Sequence, residues 1–302
     1  MYDIIIVGAG PAGLTAAIYA GRANKSVLLL DKGAFGGQIT FSPKIENYPG
    51  FESISGSELA DKMVEQALAL GTEVEVENVT EIRDANGIKT VVTEDGNRYE
   101  GRALILAAGA KHRHLGLENE EQFIGDGISF CAVCDGAFYA DKTVALIGGG
   151  NSALQEAILL SETCKKVYVI QNLDFLTGED RLQEILKQKK NVEILTGTVV
   201  HAIADTPAFS AITIQNVHTE ELQPLPLDGM FVAIGLEPEN EAFANLIDLD
   251  ERGYANADEG CATKTPGVFV AGDCRRKSVR QVATAIADGA TAAISACRYL
   301  DA

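Results

Sequence analysis

The chain has no tryptophan, three methionines and four histidines in 302 residues, and only 6% of it is aromatic. Basic residues are scarce as well: 25 Lys+Arg against 43 Asp+Glu leave a formal net charge of -18. That balance disfavours nucleic acid as a partner and any extended contact with an anionic membrane. No apolar run approaches the roughly 18 residues of a membrane span. Met1-Tyr2-Asp3 leads straight into the apolar run Ile4 to Val7, without a basic n-region, an h-region or a cleavage site, so a soluble cytoplasmic protein is expected. A second close cysteine pair is also missing: Cys164, Cys261, Cys274 and Cys297 are scattered singly. A four-thiolate zinc site needs two such pairs, and no metal site is expected. What is present in quantity is apolar side chain, 46% of the residues, enough for about two well-built domains.

Three motifs stand out. Gly8-Ala9-Gly10-Pro11-Ala12-Gly13 follows a run that reads as a buried strand, Ile4 to Val7, and opens a helix that runs to about Arg22. A second strand, Ser26 to Leu30, ends at Asp31. In such a βαβ opening Gly8 makes the turn, Gly10 lets the backbone approach a pyrophosphate, Gly13 permits close helix packing and Asp31 can bind a ribose hydroxyl. The same grammar restarts at Thr143 to Ile147, with Gly148, Gly150 and Ala153 in the turn, a helix through about Ser161 and a strand at Lys166 to Ile170. Between the two lies Cys131-Ala132-Val133-Cys134-Asp135-Gly136. Two thiols at this spacing can close a small ring reversibly, and in a reducing compartment they argue for a working dithiol rather than a structural bridge. The order of the motifs suggests a flavin feeding electrons to a disulfide.

Thr90 to Thr93 after Ala85-Asn86-Gly87, and Ala211 to Ile214 before Val217, read as hairpin strands of an antiparallel layer added to each module. Ala103 to Ala107 and Met230 to Ile234 look like equivalent strands closing each half, and the C-terminal third offers a strand at Val268 to Ala271 and a helix from about Gln281 to Tyr299. The expected class is α/β: two Rossmann-like three-layer dinucleotide-binding domains, each with an added antiparallel β layer.

With Gly36-Gly37-Gln38, Glu46-Asn47-Tyr48-Pro49-Gly50, Ala107 to Ala110 and Ala271-Gly272-Asp273 with Arg280-Gln281, the sequence resembles the low-molecular-weight thioredoxin reductase family from Tyr2 to about Leu300. The resemblance implies a discontinuous FAD-binding domain at 1–112 and 242–302, and an inserted NAD(P)H-like domain at 113–241 that carries the CxxC. It also implies a homodimer and a thioredoxin or thioredoxin-like partner. Carried over by position, FAD would meet Gly8, Gly10, Pro11, Ala12 and Gly13 at its pyrophosphate, and Asp31, Lys32, Gly36, Gly37 and Gln38 at the adenosine ribose and beyond. Asn47 would lie near the flavin, Val79 would meet the adenine through its backbone, and Ala108 and Gly109 would follow the closing strand. Asp273 would hold the ribityl chain, with Arg280, Gln281 and Val282 completing the site near the reactive ring. The resemblance gives Cys134 the flavin-facing role and Cys131 the attack on the thioredoxin disulfide. Asp135, beside the second sulfur, reads as a general acid and base, and the four single cysteines read as small packed hydrophobes.

One segment departs from the family pattern. NADPH-dependent members carry a His-Arg-Arg run and a further Arg four residues on, where this chain has Gln171-Asn172-Leu173 and Thr177. A 2'-phosphate is usually held by guanidinium forks, so NADPH is doubtful. In this the chain resembles the ferredoxin-dependent flavin thioredoxin reductases, and the expected donor is reduced ferredoxin or another non-NADPH source, with NADH and NADPH as alternatives. Arg275-Arg276-Lys277 with Arg280 could dock an acidic ferredoxin, or could be solvated or face the FAD phosphates. Two other functions fit the architecture: a ferredoxin-NADP reductase-like carrier, which needs no dithiol, and a non-catalytic flavin redox sensor.

Overall fold

The computed structural model describes residues 1–33, 35–42, 45–204 and 206–302, which divide into two compact units. The first unit comprises Met1–Pro43, Tyr48–Lys111 and Glu237–Ala302, and the second Lys44–Asn47 and His112–Leu236. The chain returns to the first unit at Glu237, ahead of the boundary expected at 242.

In the first unit the strand Tyr2–Val7 carries the unbroken apolar run Ile4 to Val7 because that part is covered on both faces, and Ile4, Ile5 and Ile6 are fully buried. It pairs in parallel with Val27–Asp31 on one side and Arg98–Leu106 on the other. Glu73–Val76 extends the sheet beyond Val27–Asp31, and Val268–Val270 pairs in parallel with Arg98–Leu106. The other end of Arg98–Leu106 pairs antiparallel with Ile88–Thr93, which pairs in turn with Val79–Ala85 across the Asn86-Gly87 turn. One strand thus serves both the parallel sheet and the added hairpin layer. The helix Pro11–Arg22 packs on the C-terminal helix Val282–Asp301 so closely that a Cβ on Gly289 would lie 2.1 Å from the carbonyl oxygen of Ala12.

The second unit repeats the plan. Thr143–Ile147 pairs in parallel with Lys166–Ile170 and Gly229–Val232, and the five-stranded sheet is completed by Val192–Leu195 and Ile128–Ser129. Thr198–Ile203, Ala211–Asn216 and Leu222–Pro226 form a separate three-stranded antiparallel sheet. Its core lies in two layers, one under the antiparallel sheet around Ile128, Ile212 and Met230, the other around Ala132, Leu154, Leu160 and Phe231.

Periodicity and glycine turns carry the strands and nucleotide helices, but not the helix Gly56–Ala69. Its first turn is capped by Ser55, whose Oγ accepts from Glu58 N at 3.1 Å, a capping signal visible in the sequence. Among the described residues no helix is long and apolar enough to cross a membrane.

Candidate active site

Cys131 and Cys134 are joined in a disulfide at the start of the four-residue helix Ala132–Asp135, which packs on the helix Asn151–Thr163. Both sulfur-bearing residues are partly exposed, whereas Ala132 between them is buried. Cys131 caps the short helix, its sulfur accepting from Cys134 N at 3.2 Å. Asp135 follows Cys134 and ends the short helix. Its Oδ2 accepts from the Ser129 hydroxyl at 2.6 Å, while its Oδ1 is buried without a hydrogen-bond partner among the described residues. Burial holds the Asp135 carboxyl above the usual range, and the bond from Ser129 opposes that shift. A carboxyl so placed can take or give a proton where a thiolate becomes a thiol.

Three residues that the sequence reading passed over belong to this site. Ser129, at the end of the strand Ile128–Ser129, accepts from Cys131 N at 3.1 Å. Glu156, from the long helix, accepts from Ala132 N at 3.2 Å, and burial pushes its carboxyl up to about 7. Phe130, next to Cys131, is stacked between His112 at 4.8 Å and His114 at 5.1 Å. Burial, with His114 adding to it, lowers the His112 imidazole to about 4. Ser129 stands two residues before the first cysteine, and that proximity was the signal available; nothing local in sequence marks Glu156.

In the first unit Gly8 takes a φ of 103°, and a Cβ there would lie 2.3 Å from the carbonyl oxygen of Ala107. A Cβ on Gly13 would lie 1.8 Å from the oxygen of Gly8, so the helix starts against the turn. At Gly10 a Cβ would meet nothing within 4 Å, and Gly10 caps the helix Pro11–Arg22 without any side-chain bond. The open cradle and uncapped helix N-terminus fit a pyrophosphate. Asp31 accepts from Ala9 N at 2.6 Å and from Gly33 N at 2.9 Å, which fixes its carboxylate beside the turn. Gly36 N donates to the Ala9 oxygen at 2.8 Å, and Gly37 and Gln38 start the short 3-10 helix Gly37–Phe41.

Asp273 Oδ1 is buried without a hydrogen-bond partner among the described residues, with Lys277 Nζ at 3.5 Å. Burial raises this carboxyl against the pull of Lys277 and Arg280. An unmet acceptor of this kind fits a ligand hydroxyl. Val282 begins the C-terminal helix, and Gln281 caps it in a reciprocal box with Thr284. Ala108 and Gly109 follow the strand Arg98–Leu106, Gly109 with a φ of 73°. Val79 is buried in register with Thr93. Lys32 pairs with Glu239 at 2.5 Å, Glu239 also taking Lys111 at 2.8 Å. Asn47 groups with the second unit.

The basic segment is spent on the fold. Arg275 bonds Asp288 and the Cys261 sulfur, both at 3.1 Å, and Lys277 bonds Asp288 at 3.0 Å. Arg280 lies 4.1 Å above the Tyr254 ring and donates to the Asp273 backbone carbonyl at 3.2 Å. Only Arg276 of the expected docking patch is exposed, so these residues do not form a free basic surface.

The loop after Lys166–Ile170 folds over the second glycine turn. A Cβ on Gly149 would meet the Gln171 side chain at 2.7 Å, and Thr177 N and Gly178 N donate to the Gly149 oxygen at 2.9 and 2.8 Å. Gln171 is buried, Asn172 and Leu173 are exposed, and Asp174 meets His218 at 2.6 Å. No guanidinium stands at Gln171, Asn172, Leu173 or Thr177.

Comparison with known proteins places this arrangement. Residues 2–289 match the family described as pyridine nucleotide-disulphide oxidoreductase. A thioredoxin reductase of Listeria innocua is 40% identical over 302 residues, covering 100% of this chain and 94% of its own. A 34.2 kDa protein in the rubredoxin operon of Clostridium pasteurianum is 41% identical, covering 99% and 97%. The crystal structure of a thioredoxin reductase from Streptococcus pyogenes, 40% identical, superposes with a TM-score of 0.94 over 100% of this chain and 98% of that one. The chain belongs to the pyridine nucleotide-disulphide oxidoreductase family.

Proposed function

We propose that the protein is an FAD-dependent thioredoxin-disulfide reductase, in which an electron pair passes from a donor through FAD to the Cys131–Cys134 disulfide and on to the disulfide of a thioredoxin. The observation that carries this reading is the partly exposed disulfide followed directly by Asp135, whose half-satisfied carboxyl has a buried Oδ1. Full-length relatives at about 40% identity bear the name thioredoxin reductase. FAD, when bound, supplies a carrier that accepts two electrons and delivers them as a pair.

The chain's own residues do the rest. Gly8, Gly10, Pro11, Ala12 and Gly13 present open backbone and a helix N-terminus to the pyrophosphate, with Asp31 and Lys32 at the adenosine ribose. Gly36, Gly37, Gln38, Val79, Ala108 and Gly109 complete the binding surface, and Asp273, Arg280, Gln281 and Val282 close the flavin end. Opening the disulfide with two electrons and one proton yields the Cys134 thiol and the Cys131 thiolate. Asp135 supplies that proton to Cys134. Cys131, as thiolate, then attacks a sulfur of the thioredoxin disulfide and expels the other as a thiolate; Cys134, its proton returned to Asp135, resolves the mixed disulfide, restoring Cys131–Cys134 and releasing thioredoxin, whose two thiolates take protons from water. Cys131→Ser and Cys134→Ser should each abolish thioredoxin reduction, and turnover surviving in either would refute the dithiol route.

For the donor, the loop at Gln171–Thr177 supports a source other than NADPH, since no side chain there can fork onto a 2'-phosphate. Both NADH, suited to the retained second glycine turn, and a protein carrier such as ferredoxin meet that condition. The exhausted Arg275–Arg280 segment favours NADH of the two. Anaerobic mixing with NADPH, NADH and reduced ferredoxin in turn, following bleaching of the flavin band, tests this. Rapid saturable bleaching by micromolar NADPH would overturn it.

A further inference from the structure

The CxxC turn has an unusual capping problem. A four-residue helix makes almost no internal hydrogen bonds, so its first amides must find acceptors elsewhere. The residue in the capping position is Cys131 itself, whose sulfur is a weak acceptor and is the atom that reacts. The two amides at the head of the turn are instead held from outside. Cys131 N donates to Ser129 Oγ at 3.1 Å and Ala132 N to Glu156 Oε2 at 3.2 Å. Both acceptors stand on firm elements. Ser129 ends a strand in parallel register with Phe231, and Glu156 lies midway along the 13-residue helix Asn151–Thr163. The single proton of Ser129 goes to Asp135 Oδ2 at 2.6 Å, which leaves Asp135 Oδ1 buried without a hydrogen-bond partner among the described residues.

We propose that Ser129 and Glu156 are positioning residues of the dithiol: they clamp the two leading amides of the CxxC turn so that the S–S bond opens and closes on a fixed backbone, and Ser129 also holds the carboxylate of Asp135, the residue after Cys134. The proposal rests on the reading of Cys131–Cys134 as the redox-active pair. A clamped backbone keeps the two thiols of the reduced state facing each other, which favours closure and makes the pair a stronger reductant. Without the clamp the reduced turn relaxes, the dithiol gains stability relative to the disulfide, and its transfer of electrons slows.

The test is the thiol–disulfide equilibrium of the full-length protein with dithiothreitol, which delivers two electrons and two protons and leaves as its cyclic disulfide, read by alkylation and mass. Thioredoxin turnover is measured alongside. Losing one buried hydrogen bond corresponds to about a tenfold change. Ser129→Ala and Glu156→Ala should each shift the equilibrium about tenfold toward the dithiol and lower kcat for thioredoxin by a similar factor, with KM unchanged. Ser129→Thr, which keeps the hydroxyl, and Glu156→Gln, which keeps an amide oxygen for Ala132 N, should recover most of both losses. A change of KM alone, an unshifted equilibrium in both alanine variants, or failure of both conservative variants to recover it would overturn the clamp. If the wild-type protein equilibrates with dithiothreitol and the alanine variants shift as stated, but no thioredoxin is reduced, the clamp stands and the thioredoxin reading falls.

Discussion

The two glycine turns of this chain share the same backbone contacts and differ in what surrounds them. Gly8 N donates to Leu30 O at 2.7 Å, and Gly148 N to Ile170 O at 2.9 Å. Both glycines take a positive φ, 103° and 131°, and a Cβ on either would lie 2.3 or 2.5 Å from the oxygen of the residue after the closing strand, Ala107 or Ala233. Each helix starts without a side-chain cap. The second strand then ends differently. Asp31 locks its carboxylate onto Ala9 N, whereas Gln171 lies against Gly149 and sends its amide toward Phe175 O at 3.4 Å. Near the second helix start Asn151 is engaged by Glu179, which brings an acid to an end that would otherwise favour an anion. The backbone of a nucleotide site thus persists where the side chains that select a nucleotide do not.

The sharpest way to break the comparison is at the third small residue of each turn. Gly13→Val would put carbon 1.8 Å from the Gly8 oxygen, while Ala153 already carries a Cβ at the matching place. Gly13→Val should leave almost no flavin on the purified protein, read as flavin absorbance per chain, and Ala153→Gly should leave flavin content as it was. A Gly13→Val protein that keeps its FAD would show that the first cradle is not where the pyrophosphate sits. A smaller effect is expected from installing selection in the second turn. With about 1.5 to 3 kcal/mol for each charge-assisted bond, Asn172→Arg with Leu173→Arg should lower the NADPH concentration for half-maximal flavin reduction about a hundredfold. Unchanged NADPH dependence would mean that the loop does not meet the nucleotide. Smaller again, Asp31→Asn weakens the bond from Ala9 N and should loosen FAD about tenfold in a dialysis titration, with Gln171→Ala leaving FAD untouched.

How much of this could be read from the chain follows the range of the interactions. The turns, their strands and the CxxC are local: glycine at Gly8 and Gly148, apolar runs and a cysteine spacing each carry a meaning within a dozen residues. The hairpin layers were legible for the same reason, through Asn86-Gly87 and the alternation of Ile88–Thr93. What could not be read was the use to which charges are put. Arg275, Lys277 and Arg280 look like a basic patch in sequence, and only folding brings Asp288 and Tyr254 against them. Glu156 stands 24 residues beyond the Ala132 amide it holds, and its neutral character at moderate pH comes from burial rather than from any neighbour in sequence.

The smallest expected effect is a cancellation in the wild-type chain, seen when the two units are compared in acid. In the second unit His112 falls from 6.5 to about 4 and Glu156 rises from 4.5 to about 7. The signs oppose. Unfolded His112 takes a proton that the folded protein refuses, so its part of the stability is lost as pH drops below 6.5, completely so below about 4. Folded Glu156 keeps a proton that the unfolded chain releases, so its burial destabilises above about 7 and is relieved as pH falls toward 4.5. Between about pH 7 and about pH 5 each contributes about 2 kcal/mol, in opposite directions. Asp135, also raised by burial, adds to the Glu156 side. The first unit has its own acid-sensitive group in Asp3, lowered mainly by the Ser26 backbone amide, and that contribution is lost only as pH falls below 3.8. Neither unit should therefore lose stability over this window. Hydrogen exchange of Thr143–Ile147 and Tyr2–Val7 in the full chain, corrected for intrinsic rates, reads the two units separately. Relative to its own rate at the neutral end, Thr143–Ile147 should exchange about thirtyfold faster at the acid end in Glu156→Gln, where His112 is left unopposed, and about thirtyfold slower in His112→Gln, with Tyr2–Val7 unchanged in both. If neither variant alters the pH dependence, the two groups do not oppose each other and the balance has another source.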